Sequence, residues 1–507
     1  MRFPSALLFA IGILLPWPSC LGSRVASFDF TRHLGTKSIY PEPPSESSRA
    51  DGASIDSSPS SCELVQIQMI IRHGTRNPGR SDILSFKDIE GFLRTQRPAA
   101  GWSRYPWMQN WTSPFQPEDE SLLTRSGEEQ LYRLGSRLAD RFQAFLEPYS
   151  PNLYDFRASD KSRTVQSAQA FAFGLFRRPG AANECPRPAT IHCSTLPASM
   201  DYEIEPAANC KAWEGQVLNS TRPSSESAAW RKRFLPDITA RVQDRAGIPF
   251  TNEHVSAMFK LCAFQVAVQD IRNEWCSLFS EDDFQRLDYA DDLKHWMQFS
   301  YSFPINRVMA CSLATNIANG LVEAIDALAS NRQRRLGIFR FGHSETLLFL
   351  FTQLGLYEDT EPLTANMTRH LLYDRQFRTA AISPFGSNVL IELVHCPGSE
   401  PAKILANAAE SQESLLPTLP SEQAAYWSRA FPVLRQGHTL RDYAIRVSVN
   451  EQYLHLPRCQ AKGEDYSPKD VPSCRLDRFF ESIARKGYLD CDYSGLCGIT
   501  DRNCTWS

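Results

Sequence analysis

No single sign of charge dominates this 507-residue chain: 54 basic residues face 57 acidic ones, for a net charge of −3. Such a surface has no global field to draw in nucleic acid or an anionic membrane, so any anionic partner must be held by a local cluster. Beyond the N-terminal segment no apolar run reaches the ~20 residues that span a bilayer, and there is no internal repeat. The 14 cysteines form no paired C-x-x-C knuckles of the kind that bind structural zinc, and none has arginine six residues later, as a cysteine phosphatase requires. The P-loop and H-E-x-x-H patterns are missing too. Gly342-His343-Ser344-Glu345-Thr346 resembles a serine-hydrolase elbow but has threonine where the second glycine belongs. These absences leave no metal or cofactor to expect.

What is present begins with an export signal. A basic Met1-Arg2, an apolar Phe3 to Trp17 and a permissive Cys20-Leu21-Gly22 predict a signal peptide over residues 1–22, cleaved from the mature chain. The ending "DRNCTWS" is neither a K-D-E-L-type retrieval signal nor a hydrophobic anchor tail, so the expectation is a secreted or lumenal protein with no membrane span. Sequons at Asn110, Asn219, Asn366 and Asn503 are candidate glycosylation sites. Without Cys20, 13 cysteines enter an oxidising lumen, where most are expected in disulfides and an odd one is left over.

The chain divides by texture. Residues 23–61, Pro/Ser-rich from Pro41, read as a flexible lead-in. "LVQIQMII" (Leu64 to Ile71) has the continuous apolar character of a strand buried on both faces. Two further strand-to-helix units follow: Leu153 to Arg157 before a helix capped by Ser159-Asp160, and Gly337 to Phe341 before a helix from about Thr346. Residues 181–325 carry helical periodicity and read as an inserted helical domain; 491–507 is a Cys-rich tail. Strands are expected at "SNVLIELVHC" and in a hairpin turning at Asn450-Glu451. The fold class is therefore α/β: a largely parallel Rossmann-like sheet built from 62–180 and 326–490, flanked by helices, with a helical insertion.

Ligands of open α/β sheets sit beyond the C-terminal strand ends. Three units put chemistry there: Arg72, His73 and Arg76, then Arg163, then His343 and Glu345. Arginine is permanently charged and its planar fork matches phosphate oxygens, so three of them with two histidines make a dianion pocket. A neutral imidazole can attack phosphorus, giving a phosphohistidine that water reopens, and the leaving alkoxide needs a proton, for which Glu345 is the best-placed donor. Taken singly, each residue has a plainer explanation: a core histidine, a surface arginine, an acid at a helix start. It is their conjunction at three strand ends, in order, that points to phosphoryl transfer.

"RHGTRNP" (Arg72 to Pro78) matches all five fixed positions of R-H-G-x-R-x-P and resembles the signature of the histidine phosphatases of the acid phosphatase and phytase branch. "SDKSRTVQSAQAF" resembles that family's later arginine segment and "GHSETL" its second-histidine loop. There the carboxylate stands two residues after the histidine, an H-x-E pattern similar to the multiple inositol polyphosphate phosphatases. The resemblance implies that Arg72, His73, Arg76, Arg163 and His343 form the phosphate pocket, with His73 the nucleophile and Glu345 the proton donor. It also implies a Cys62–Cys396 bridge, and a small phosphomonoester as substrate: inositol phosphates, 2,3-bisphosphoglycerate or simple monoesters. From Arg72 to Arg104 seven basic residues stand against three acidic, an excess that suits a polyphosphorylated ligand or simply a solvated face. A secreted phosphoanion-binding protein without turnover is the rival class. Oligomeric state is not legible.

Overall fold

The computed structural model describes residues 28–41, 62–96, 103–177, 191–396, 442–457, 459, 471–484 and 491–499. The expected signal peptide, Arg97 and the sequon at Asn503 lie outside the described residues.

The apolar run after Cys62 forms β1 (Glu63–Arg72), whose last eight residues are all buried. Continuous apolar character arises because β1 is the middle of the sheet and is covered on both faces. With β2 (Tyr154–Ser159), β3 (Cys193–Leu196), β4 (Gly337–Gly342), β5 (Asn388–His395), β6 (Tyr443–Val449), β7 (Gln452–Leu454) and β8 (Cys474–Arg475), the strand order is β3-β2-β4-β1-β5-β6-β7, β8 pairing with β6. The half from β3 to β1 is parallel. From β1 outward the sheet continues antiparallel through β5, β6, β7 and β8. The hairpin between β6 and β7 turns where expected, because Asn450 and Glu451 both adopt positive φ, 50° and 66°, as a two-residue hairpin turn demands.

Register positions the site. Arg72 pairs with Gly342 and Ala158 with Phe341, so the C-terminal ends of β1, β4 and β2 are level. The ladder runs one residue further: His73 N–H donates to the Gly342 carbonyl at 3.0 Å.

Alternate residues of β1 feed two cores. Ile67, Met69 and Ile71 pack under α2 (Arg125–Arg141) and α3 (Ser162–Leu175), while Ile70 packs with α7 (Cys311–Ala329) and α8 (Ser344–Leu354). Helices α1 (Arg80–Thr95), α4 (Arg222–Ala246) and α5 (Asn252–Phe264) form a separate apolar cluster; α6 (Glu281–Phe299) contributes to that cluster and to the sheet core. Helices α2 and α3 approach closely through glycines. A Cβ at Gly135 would stand 2.1 Å from the Phe171 carbonyl oxygen, and one at Gly174 2.0 Å from that of Tyr132.

Three boundaries differ from expectation. Helix α7, assigned to the insertion by its sequence position, packs on the sheet, where its Ile317 carbonyl accepts from Gln68 Nε2 at 3.0 Å. The span Pro304–Ala329 is long and apolar enough to cross a membrane, but 67% of its most apolar window is buried inside the protein, so core packing accounts for its composition. Strand β3 also lies within 181–325 yet extends the main sheet; at four residues, three of them exposed, it has no hydrophobic signal to read. Residues 28–41, placed in a flexible lead-in, are an ordered strap. Leu34, Thr36 and Ser38 are buried, and Phe30 stacks on Phe284 at 4.9 Å. The Pro/Ser bias begins only at Pro41; the apolar residues before it have a place to go.

Disulfides tie distant segments: Cys62–Cys396 joins the start of β1 to the end of β5, and Cys210–Cys497 and Cys311–Cys491 fasten the tail to the helical segments. Cys262–Cys276 and Cys459–Cys474 close short loops, and Cys193 is the free thiol among the described residues.

Because neither helix backbone can retreat without unpacking the sheet face, Gly135→Ala should cost about 2 kcal/mol or more of stability. Urea unfolding checks this; an unchanged midpoint would show that α2 and α3 can separate freely.

Candidate active site

The level strand ends bring Arg72, His73, Arg76, Arg163, His343 and Glu345 together. His73 is buried, and its Nδ1 lies 2.9 Å from the Gly74 carbonyl. A carbonyl only accepts, so Nδ1 carries the proton and Nε2 keeps its lone pair. Burial, then Arg72, His343, Arg76 and Arg163, hold the His73 pKa well below its ordinary value, which keeps the ring neutral. The His73 and His343 rings meet edge-on, centroids 5.6 Å apart.

Three guanidinium groups surround this imidazole. Arg72 donates through Nη1 to the carbonyls of Thr36 and Ser383, both at 2.6 Å, and lies over the Phe385 ring. Arg76 Nη1 donates to its neighbour's carbonyl, Asn77, at 2.7 Å. Arg163, in the first turn of α3, sends Nη2 to within 3.5 Å of His343 Nδ1. The Nε–H of each of the three is buried without a hydrogen-bond partner. Burial lowers all three pKa values, and Arg76 and Arg163 push down those of their neighbours. The site is thus short of negative charge: it has donors waiting and too few acceptors. The Glu345 carboxyl group, in the first turn of α8, lies within electrostatic reach of Arg72, Arg76 and Arg163 alike.

The supports are main-chain groups that sequence reading missed. Thr36 belongs to the strap and Ser383 to the segment before β5, and both are held by acids of α6. Asp288 Oδ1 accepts from Gly35 N–H at 3.0 Å, and Asp291 pairs with Lys37 at 3.4 Å. Arg375 bridges Asp288 and Asp292, and Asp292 also accepts from Thr379 N–H at 2.8 Å, four residues before Ser383. Ser344 Oγ and Ser383 Oγ, 2.6 Å apart, connect the second-histidine loop to the same carbonyl-bearing residue. Carbonyls leave no side-chain signature, so no motif could have found Thr36 or Ser383.

One expectation changes. Ser159 does not cap α3, whose N-cap is Lys161 with no side-chain bond; its hydroxyl lies instead 2.9 Å from His343 Nε2. Gly74, within the first motif, is required by packing: a Cβ there would stand 2.4 Å from the Gly127 carbonyl of α2. The basic residues Arg80, Arg94 and Arg104, which follow Arg76, lie on the solvated surface. Arg80 and Arg94 are exposed, each beside its own carboxylate, Glu120 and Glu90. The cations beside the clamp come from other segments: Lys37, Arg231 and Lys260 line a cavity with Phe259, Leu287 and Asp291. Lys260 pairs with Asp82 at 2.7 Å, and Lys37 directly follows Thr36, whose carbonyl holds Arg72 at 2.6 Å, so cavity and clamp adjoin. Among the described residues no three His, Cys, Asp or Glu side chains are grouped as metal ligands.

A neutral, correctly tautomerised histidine ringed by unpartnered guanidinium donors at the ends of parallel strands is the site of a phosphoryl-handling α/β protein. Residues 63–414 match the histidine phosphatase superfamily (branch 2), and the chain belongs to that family. It is similar to multiple inositol polyphosphate phosphatase 1 of Dictyostelium discoideum, 26% identical over 67% of this chain and 61% of that protein, and so spans about three fifths of that relative's length. The protein of the same name from Gallus gallus is 28% identical, covering 73% of this chain and 82% of its own. A thiamine-repressible acid phosphatase of Schizosaccharomyces pombe is 25% identical over 73% of this chain and 79% of its own. Among solved structures, the phytase from D. castellii shares the fold with a TM-score of 0.67 at 16% identity, covering 96% of this chain and 93% of that one.

Inorganic phosphate should therefore stabilise the protein by RT ln(1 + [L]/Kd), and Arg163→Ala should remove most of the rise in thermal midpoint; a variant that keeps it would place the anion elsewhere. The sign for acid follows from His73. Its folded pKa lies below the unfolded value of about 6.5, so the stability linked to it is complete above that pH and is lost as pH falls toward the folded value. Midpoints measured from pH 7 to 4.5 should fall less steeply in His73→Ala than in the wild type.

Proposed function

We propose that this protein is an exported phosphomonoesterase that hydrolyses inositol polyphosphates through a phosphohistidine on His73. The observation that carries the reading is the unprotonated Nε2 of a buried His73 among three guanidinium groups whose Nε–H donors lack partners. The lone pair on Nε2 attacks phosphorus, the ester P–O bond breaks, and the leaving alkoxide takes the proton of Glu345. Arg72, Arg76, Arg163 and His343 take up charge on the equatorial oxygens. Water then attacks the phosphohistidine and gives its proton to the Glu345 carboxylate. The P–N pair returns to Nε2 and phosphate leaves.

Substrate class rests on two supports. Relatives carry the names multiple inositol polyphosphate phosphatase 1 and phytase A, and a structural neighbour is a Bifidobacterium longum multiple inositol polyphosphate phosphatase in complex with inositol hexasulfate. The cavity lined by Lys37, Arg231 and Lys260 beside the clamp offers cations to further phosphates of one ligand. The acid phosphatases among the relatives support a second reading, a broad-specificity histidine acid phosphatase that also takes simple monoesters or 2,3-bisphosphoglycerate. The five disulfides among the described residues fit an oxidising compartment, and the sequons at Asn110, Asn219 and Asn366 are exposed, as glycosylation would need.

Phosphate release from inositol hexakisphosphate with chelator present tests the mechanism: His73→Ala should abolish it, and activity that persists in the variant would sink the phosphohistidine. Stoichiometric binding without release by the wild type would establish the binding-protein alternative. Glu345→Gln should lower kcat by about 10²-fold or more with little change in KM, and an equal effect on both constants would remove Glu345 from acid catalysis. Lys260→Ala should raise KM for hexakisphosphate several-fold more than KM for p-nitrophenyl phosphate; equal shifts would disconnect the cavity from the substrate.

A further inference from the structure

Glu205 lies between β3 and the helical segments, outside every motif the sequence displays, yet it reaches the second histidine. Its Oε1 is 3.2 Å from His343 Nε2, and Ser159 Oγ is 2.9 Å from the same nitrogen. On the other side of the ring Arg163 Nη2 faces Nδ1 at 3.5 Å. A guanidinium can only donate, so Nδ1 accepts and the single proton of the neutral ring sits on Nε2, toward the carboxylate. We infer that Glu205 is a positioning residue for His343: it fixes this tautomer and supplies the countercharge that lets Nδ1 take a second proton and donate it to a phosphate oxygen. The inference rests on the proposed phosphate site. The proton comes from the monoprotonated phosphate ester, so no further reactant is needed.

The placement of Glu205 is rigid. Thr346 Oγ1, on α8, donates to the Ile204 carbonyl at 2.6 Å and accepts from His343 N–H at 3.2 Å, so the loop is fastened to the histidine it serves. Asp201 accepts from Ile204 N–H at 2.8 Å, shaping the turn from within. Gly342 makes room: a Cβ there would stand 2.7 Å from Ile204 Cγ2 and 2.9 Å from Thr346 Oγ1. On the far side Tyr493 Oη donates to the Pro206 carbonyl, and the Cys210–Cys497 bridge closes the brace.

A carboxylate serving only as a structural ion pair would be expected to satisfy both oxygens. Here Oε2 is buried and without a partner, so the group is kept beside His343 at some cost. Burial pushes the Glu205 carboxyl up, but the hydrogen bond to His343, with Lys161 and Arg163, holds it below its ordinary value. The arrangement matches the carboxylate–histidine pairs that set imidazole tautomer and basicity in other sites.

The test compares Glu205→Gln, which keeps a hydrogen-bond acceptor and removes the charge, with Ser159→Ala, which removes the neutral partner. Binding of inorganic phosphate by calorimetry and the pH profile of kcat/KM on p-nitrophenyl phosphate are read for each. The groups facing His343 are His73, Arg163, Ser159 and Glu205, with Lys161 acting on Glu205; of these only the named residue changes in each variant. Glu205→Gln should weaken phosphate binding about 10-fold or more and move the alkaline limb about one unit toward acid, while Ser159→Ala changes either by less than about threefold. Phosphate affinity and profile unchanged in Glu205→Gln would overturn the inference, as would an equal loss in Ser159→Ala, which would assign the effect to hydrogen bonding rather than charge. The binding arm stands apart from turnover: a wild type that binds phosphate without hydrolysing ester fails the proposed activity, yet still reports on Glu205.

Discussion

Guanidinium groups repel one another most strongly where water is excluded, and the residues around His73 bring three of them into such a place. The protein does not neutralise them with matching carboxylates, which would occupy the space an anion needs. It holds Arg72 and Arg76 through main-chain carbonyls of Thr36, Ser383 and Asn77, dipoles that orient a guanidinium without cancelling its charge. Compensation is placed one layer out. Asp288, Asp291 and Asp292 of α6 anchor both the strap that carries Thr36 and the segment that carries Ser383. The deficit of negative charge at the centre is thus a stable property of the fold, and it sets the polarity of whatever binds there.

Parallel pairing explains why residues so far apart in sequence form one site. Strands β1, β2 and β4 run in the same direction and end level, so each delivers its next few residues to the same edge. Helices α3 and α8 then begin there, adding the positive ends of their dipoles. The antiparallel half contributes differently: β5 begins just after Phe385, whose ring lies under Arg72, and the Cys62–Cys396 bridge ties it to the root of β1. One half of the sheet presents the chemistry and the other braces it.

The residues with chemistry in their side chains are legible in the amino-acid sequence alone. Arg72, His73, Arg76, Arg163, His343 and Glu345 occupy strand ends and helix starts that periodicity locates. What escapes a reading of the sequence is of three kinds. Thr36 and Ser383 act through their backbones, which sequence does not advertise. Glu205 and Ser159 lie in segments of ordinary composition and gain meaning only when register brings them to His343. The basic stretch after Arg72 stays open to two readings in sequence, because charge counted along a helix does not say which face it occupies; the cations of the neighbouring cavity, Lys37, Arg231 and Lys260, are spread over more than 200 residues of sequence.

The brace behind the second histidine has a bearing on when the molecule becomes competent. The loop carrying Glu205 is held on one side by Thr346 and on the other by Tyr493 and Cys497, near the end of the chain. During synthesis the nucleophile strand emerges early, but the residues that lock this loop follow it in the chain only 287 residues later. A half-made chain thus presents the arginine-rich motif without its fully braced partner. Full bracing of the site is tied in this way to synthesis of the segment around Cys497 and to closure of its disulfide with Cys210.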